Sequence, residues 1–191
     1  MGGFLAPIIS FDAIDRAELN EALTAWGHKM GPLNRPSFRP GIAHGLRHDG
    51  VLVAVTATEQ MIPAATAGLS RDEALELARV CAVRPDLCRV AVRLWREFVF
   101  PAVSRAWGTT WAISYQDAAL HTGGLYRFDG WIPLGRSNSG PDRRGLNPGR
   151  RKVIWGWHAD PVVRAEARKR IERPMRDVRT TWNNQCLGDA A

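Results

Sequence analysis

The sequence predicts one mixed α/β or α+β domain in which helices flank a single sheet. Three observations predict it. Helix-period and strand-like segments alternate in the order helix, hairpin, strand, helix, strand, short helix, two strands, helix. The chain has 191 residues, 45% hydrophobic and 24% charged, which is the size and composition of one globular domain. No internal repeat or composition break divides it, so residues 1–174 are read as one domain and 175–191 as a tail.

Asp12 to Trp26 carries Ile14, Ala17, Ala22, Leu23 and Trp26 at helical spacing, and Gly27 is placed to end that helix. His28 to Pro40 contains Pro32, Pro36 and Pro40 and is expected to be a loop. Ile42–Arg47 and Val51–Ala57 flank His48-Asp49-Gly50, and an Asp-Gly step between apolar runs predicts a tight hairpin. Ser70-Arg71-Asp72-Glu73 has the spacing of a helix capping box, while Leu75 to Val83 fits a helix or a buried strand. Arg84-Pro85-Asp86 breaks whichever forms. Cys88 to Trp107 reads as a long helix with Ala91, Leu94, Trp95, Phe98, Val99 and Ala102 on one side, which Pro101 kinks or ends early. Thr109 to Tyr115 reads as a buried strand and His121 to Phe128 as a short helix. Trp131 to Leu134 and Lys152 to Trp157 read as two more strands, with Gly135 to Arg151 as a long basic loop between them. Asp160-Pro161 starts a final helix that Pro174 ends.

Lys plus Arg number 26 against 19 Asp plus Glu, a formal net charge of +7. That excess favours polyanionic partners. It is concentrated between Arg136 and Arg179, and Arg136, Arg143, Arg144, Arg150, Arg151 and Lys152 are the candidate phosphate contacts. The competing reading is a solvated surface of an arginine-rich protein. Of the 8 tryptophans, Trp26, Trp95, Trp107 and Trp111 are expected in the core. Trp155 and Trp157 share one strand face, as core or as a platform for a base. The 3 cysteines form no closed disulfide framework and no CxxC pair, so an intracellular, reduced protein is expected. The apolar runs are too short to span a bilayer, and Met1 to Ser10 lacks the basic start of a signal peptide.

Three places carry candidate chemistry. The turn Val83 to Ala91 joins a strand to a helix, where backbone N–H groups with Arg84 and Arg89 suit a phosphate. Ser114-Tyr115-Gln116-Asp117 ends a strand and is followed by His121 and Tyr126; polar groups at a strand's C-terminal end line the ligand crevice of open sheets. Asp117 there suits a base or metal ligand, and His121 and Tyr126 suit proton carriers. The third place is His28, in the loop after the first helix. Each has a plain alternative as a cap, a core residue or a surface group. No HxxxH or HExxH spacing marks a metal site.

These stretches together resemble a known family. Val83 to Ala91 resembles a degenerate acyl-donor loop of the GNAT acyltransferase fold, matched at Arg84, Arg89 and Ala91. The fuller resemblance is to the Mom family of phage-type DNA modification proteins. It rests on Gly27-His28-Lys29-Met30-Gly31, on Leu75 to Val80, on Ser114-Tyr115-Gln116-Asp117, and on His121 to Trp131. It implies a GNAT-like mixed central sheet flanked by helices. It also implies conversion of DNA adenine to its N6-carbamoylmethyl derivative, protecting phage DNA from restriction in the host cytoplasm. His28, Ser114, Tyr115, Asp117, His121 and Tyr126 would be catalytic. Val83, Arg84, Arg89 and Ala91 would hold the donor, and His28 and Asp117 an iron ion. Lys29 stands where the family has a tyrosine. Double-stranded DNA is the implied partner, and the donor is acetyl-CoA or glycyl-tRNA. Two alternatives remain open, an acetyl-CoA-dependent acetyltransferase of small amines and a non-catalytic nucleic-acid-binding module.

Overall fold

The computed structural model describes residues 9–35, 42–139 and 150–170. Nine strands and four α-helices are bounded in them: β1 Ile9–Ile14, α1 Arg16–Ala25, β2 Ile42–His48, β3 Val51–Gln60, β4 Ala65–Thr66, β5 Leu69–Ser70, β6 Ala74–Ala82, α2 Pro85–Leu94, α3 Phe100–Trp107, β7 Trp111–Asp117, α4 Gly124–Arg127, β8 Ile132–Ser139 and β9 Arg150–His158. Residues 161–170 are also helical. Seven strands form one sheet in the order β1-β2-β3-β6-β7-β9-β8, and β4 and β5 make a separate small hairpin. The expected mixed α/β architecture is borne out. Among the described residues no helix is long and apolar enough to cross a membrane.

Every neighbouring pair in the large sheet is antiparallel except β6 with β7. That parallel pair is short. Only Ala74, Leu75 and Glu76 face Trp111, Ala112 and Ile113, and beyond them the two strands part. Both are buried on both faces near this point, as central strands are. Alternation therefore sends Leu75 and Leu77 to one face and Glu76 to the other.

On one face Leu75, Leu77, Val92, Trp95, Phe100, Tyr126, Trp131, Trp155 and Trp157 form a core under α2, α3 and α4. Trp95 donates its indole N–H to Thr58 Oγ1 at 2.7 Å, which ties α2's continuation to β3. Trp155 and Trp157 are both buried, so they serve as core and not as an open stacking platform. On the other face α1 covers β2 and β3 through Leu19, Leu23, Ala43, Val55 and Ala57. Beside it, Met61, Trp111, Ile113, Ile132 and Ile154 form a second patch, against which Val163 and Ala167 of the last helical stretch pack.

Several expectations need correction. Asp12 to Ile14 lie in β1, which the sequence reading missed, because they pair with Gly45, His44 and Ala43 of β2. The helix begins after Asp15, whose carboxylate accepts from Glu18 N at 2.8 Å as a cap. Ser70 and Glu73 do bond to each other, Ser70 N and Oγ donating to Glu73 Oε2 at 2.8 and 2.7 Å, but they shape a turn before β6 instead of starting a helix. Burial of Ala74 to Leu77 on both faces decides for the strand. The long helix runs without a break in sequence but contains a π turn, Trp95–Val99, between α2 and α3. Pro101 would press on the carbonyl four residues earlier in a regular helix, and the wider turn relieves that. The two ends of the expected loop Gly135 to Arg151 are strand, since Gly135 to Ser139 pair with Ile154 to Arg150, and residues 140–149 lie outside the described residues. The expected helix end at Pro174 and the tail lie outside the described residues.

Two outcomes are expected. Gly123 has φ +77°, and a Cβ there would sit 2.6 Å from Gln116 Oε1 and 2.8 Å from the Trp155 ring. Gly123→Ala should therefore lower unfolding free energy by about 1–3 kcal/mol. Gly108 (φ +71°) meets nothing within 4 Å, so Gly108→Ala should cost only about 1 kcal/mol. Urea titration compares the two. Separately, burial holds His44 below its ordinary value of 6.5, with Asp12 pulling the other way. A neutral-favouring fold binds fewer protons than the unfolded chain, so stability is present above 6.5 and falls as pH drops through that value. His44→Phe should flatten the decline, read from melting temperature against pH.

Candidate active site

The parting of β6 and β7 leaves the Leu77 carbonyl without a partner from the β7 backbone. Ser114 supplies one from its side chain, its hydroxyl donating to Leu77 O at 2.9 Å. Tyr126 Oη lies 2.8 Å from Ser114 Oγ. A serine hydroxyl has one proton, and it is given to Leu77, so the Tyr126 hydroxyl is the donor to Ser114. Tyr126 comes from α4, and its ring stacks on Trp155 at 5.6 Å. Trp155 in turn donates to Gln116 Oε1 at 2.6 Å, and Gln116 donates to the His121 carbonyl. Burial pushes the Tyr126 phenol up to about 12 against the opposing pull of the Ser114 bond. At neutral pH it is therefore a protonated group inside the opening.

The opposite face is polar where β6 begins to leave β7. Glu59 and Glu76 stand directly across from each other on β3 and β6. Arg16 of α1 reaches Glu59 at 2.7 Å, and Arg35 reaches Glu76 with both terminal nitrogens at 3.2 and 3.0 Å. Burial raises the Glu76 carboxyl, and Arg35 works against that. Arg79 follows on the same face and is 8% exposed. It donates to the Ala78 carbonyl at 2.8 Å, and among the described residues its Nε has no hydrogen-bond partner and no carboxylate pairs with it. Burial, then the nearby Arg35, lowers its hold on the proton, while Glu76 and Glu59 oppose that.

His28 lies near enough to feel the charge of this arginine. Its imidazole is pushed down to about 4, by burial first and then by the charges of Arg79 and His121. The three residues come from the loop after α1, from β6 and from the turn after β7, so the fold gathers them from distant parts of the chain. Met30 N donates to His28 Nδ1 at 3.3 Å. The neutral ring then carries its proton on Nε2 and presents a donor.

The sequence-predicted catalytic residues are thus split across the sheet. Ser114 and Tyr126 lie on the α2 face. Tyr115 and Asp117 alternate to the α1 face, where His28 and His121 are coupled. Tyr115 is half-buried and bonds Thr66 Oγ1 at 3.1 Å, so the β4–β5 hairpin holds it. Asp117 Oδ1 accepts from Ala119 N at 3.0 Å, which shapes the turn leading to His121. Sequence reasoning missed Arg79, Glu59, Glu76 and Arg35. The available signal was three charged residues in or beside strands read as apolar: Glu59, Glu76 and Arg79.

The donor turn is unlike a free phosphate seat. Pro85 occupies the first helical position and has no N–H, and Arg84 pairs with Asp86 at 2.6 Å. Val83 is exposed and Ala91 fully buried. Arg89 is exposed over the Phe128 ring, 5.6 Å from its centroid. As for metal, no group of three His, Cys, Asp or Glu side chains among the described residues could hold an ion. His28 spends Nδ1 on Met30 and Asp117 spends an oxygen on Ala119, so the pair does not fit the iron that the resemblance implies. Of the candidate nucleic-acid contacts, Arg136 is exposed on β8 and the Lys152 ammonium sits 5.8 Å from the Tyr115 ring centroid. Arg150 and Arg151 lie on the β9 backbone, while their side chains, and Arg143 and Arg144 altogether, fall outside the described residues.

No protein-family model and no curated protein sequence matches the chain. Solved structures do. A probable acetyltransferase from Staphylococcus epidermidis is similar with TM-score 0.56 and 9% identity, over 80% of this chain and 99% of that one. The ribosomal-protein-S18-alanine N-acetyltransferase of Escherichia coli is similar with TM-score 0.52 and 16% identity, over 78% and 93%. A probable GNAT-family acetyltransferase from Chromobacterium violaceum is similar with TM-score 0.50 and 13% identity, over 81% and 89%. At such identities the likeness is one of fold, and the chain has the GNAT-like acyltransferase fold.

Proposed function

We propose that the protein is an acyltransferase that moves an acyl group from a donor seated in the β6–β7 opening to an amine presented on the α1 face. The observation that carries this is the opening itself, with a protonated Tyr126 on one side and the Arg79–His28 pair on the other. Acyl transfer to an amine has three electrostatic demands. The carbonyl oxygen gains negative charge as the amine nitrogen bonds to the acyl carbon; the Arg79 guanidinium and the His28 Nε2–H are donors suited to it. The nitrogen must lose a proton, and the Asp117 carboxylate on the same face is the acceptor. The bond from the acyl carbon to the donor's sulfur or oxygen then breaks, and the Tyr126 hydroxyl, turning from Ser114, gives its proton to that leaving atom.

The acetyl-CoA-dependent transfer to a small amine is the simplest form of this reading, supported by the acetyltransferase fold. A second form has the N6 amine of DNA adenine as acceptor. Lys152 beside Tyr115 favours it, because it places a cation on the acceptor face, and the Mom-like residues favour it too. A paired adenine would have to leave the duplex to present N6. With a glycyl donor, transfer yields an N6-glycyl amide, an isomer of the N6-carbamoylmethyl product.

Nucleoside mass spectrometry of host DNA, with a parallel assay of acetyl-CoA against a panel of amines, tests both forms. An acetylated small amine supports the first. A deoxyadenosine heavier by the atoms of a glycyl or carbamoylmethyl group supports the second. Neither product from folded protein overturns the acyltransferase reading. In whichever assay is positive, Tyr126→Phe should lower kcat about 10²–10⁴-fold with a native circular dichroism spectrum. Arg79→Gln should lower kcat about 10²–10³-fold, with donor binding kept.

A further inference from the structure

We infer that Lys152 selects the acceptor, holding an anionic group that the acceptor carries in the same molecule as its amine. This rests on the acyltransferase reading and deepens it by naming the acceptor's class. Strand register sets the place. Across β7, β9 and β8, Tyr115, Ile154 and Gly135 form one row on the α1 face, and Asp117, Lys152 and Ser137 form the next. The β4–β5 hairpin touches both ends of the first row. Thr66 bonds the Tyr115 hydroxyl at 3.1 Å, and a Cβ on Gly135 would lie 3.7 Å from that of Ala67. The second row lies beyond these contacts, where β7 gives way to the turn that leads to His121. An acceptor presented to Asp117 therefore meets Lys152 as the cross-strand neighbour of its base.

Charge gives that neighbour its meaning. Lys152 is half-buried, with its ammonium 5.8 Å from the Tyr115 ring centroid. The ring holds one side of the cation. Among the described residues no hydrogen bond or ion pair engages its N–H donors. Tyr115 thus serves the lysine and not a stacked base, with its hydroxyl taken by Thr66. The buried acids nearby are spent, Glu76 on Arg35 and Glu59 on Arg16. Arg79 and Lys152 remain as cations against Asp117. A second ammonium on the acceptor would add to this excess, whereas an anion on Lys152 offsets it. The same excess favours the uncharged, nucleophilic form of a bound amine. A phosphate or a carboxylate meets an ammonium through charge-assisted hydrogen bonds. A nucleotide and a small amino acid both offer one, so the shared ligand chemistry is an amine and an anion in one molecule.

Calorimetric titration of the full chain with two matched pairs tests this: deoxyadenosine against its 5′-monophosphate, and β-alaninamide against β-alanine. The anionic member should bind about tenfold or more tighter in at least one pair. Lys152→Met, which keeps the length and removes the charge, should erase that advantage, and Lys152→Arg should keep it. Lys152→Gln repeats the loss with a polar side chain, each variant being checked for a native circular dichroism spectrum. Arg105 is exposed on α3, behind the sheet, and Arg105→Met serves as the equal-charge control expected to bind like wild type. An advantage in the nucleotide pair supports the seat with a nucleic-acid acceptor, and one in the β-alanine pair supports it with a small-molecule acceptor. No advantage in wild type, or one that survives in Lys152→Met or is equally lost in Arg105→Met, overturns the inference and leaves the acyltransferase reading standing. An advantage lost in Lys152→Met, in a protein that yields neither product in the transfer assays, overturns the acyltransferase reading and with it the acceptor role of Lys152.

Discussion

The parting of β6 from β7 organises the molecule. Three residue pairs hold the strands together, and then the sheet opens through its middle. Backbone groups in a buried sheet cannot be left unpaired without a cost of about 1–3 kcal/mol each, so the rest of the local structure answers that gap. Ser114 takes the Leu77 carbonyl and Tyr126 braces Ser114. Trp155 and Gln116 close the next layer. Gly123 is needed because nothing larger fits against Gln116 and Trp155. The aromatic core under α2 is the packing expression of the same break in the ladder.

The electrostatics divide along the sheet. Buried carboxylates on the α1 face each have an arginine, Glu59 with Arg16 and Glu76 with Arg35. Arg79 is the surplus cation in that set. A buried, unpaired guanidinium is costly, and such expense in a fold is usually met where charge develops during chemistry. His28 is kept neutral in part by this same charge, so the histidine and the arginine differ in protonation for one physical reason. On the α2 face Tyr126 sits in an apolar setting that keeps its proton on.

Much of this was legible in the chain. The Asp49-Gly50 hairpin, the break at Arg84-Pro85 and the polar run ending at Asp117 each rest on local chemistry, and the structure has them in place, although the helix expected from Cys88 already begins at Pro85. The candidate site residues His28, Asp117, His121 and Tyr126 were legible as residue types next to loops. Their separation onto two faces was not, because that follows from which strands pair. β1 was hidden because Asp12 and Ala13 are exposed edge residues whose strand identity comes only from β2. Ser70 and Glu73 made a capping box without a helix, since local hydrogen bonding lost to burial of the next strand. Arg79 was invisible as a functional group because a charged residue inside LELARVCAV looks like an interruption, and only the β3 register shows that it faces the buried acids.

The π turn at Trp95–Val99 holds one residue more than an α turn would use. Each residue of a regular helix rotates the following side chains by roughly 100°. Without the wider turn, Phe100 and Val103 would swing off the stripe formed by Ala91, Val92 and Trp95. With it, both segments bury the same side. The wide turn thus takes up one residue beyond the regular spacing without disturbing the core. Removing one residue between Arg96 and Phe98 would restore a plain helix only around Pro101, which a plain helix rejects. The wide turn and the proline are a matched pair, and a chain that keeps only one of them carries either a proline in a regular helix or a helix whose two halves bury different sides.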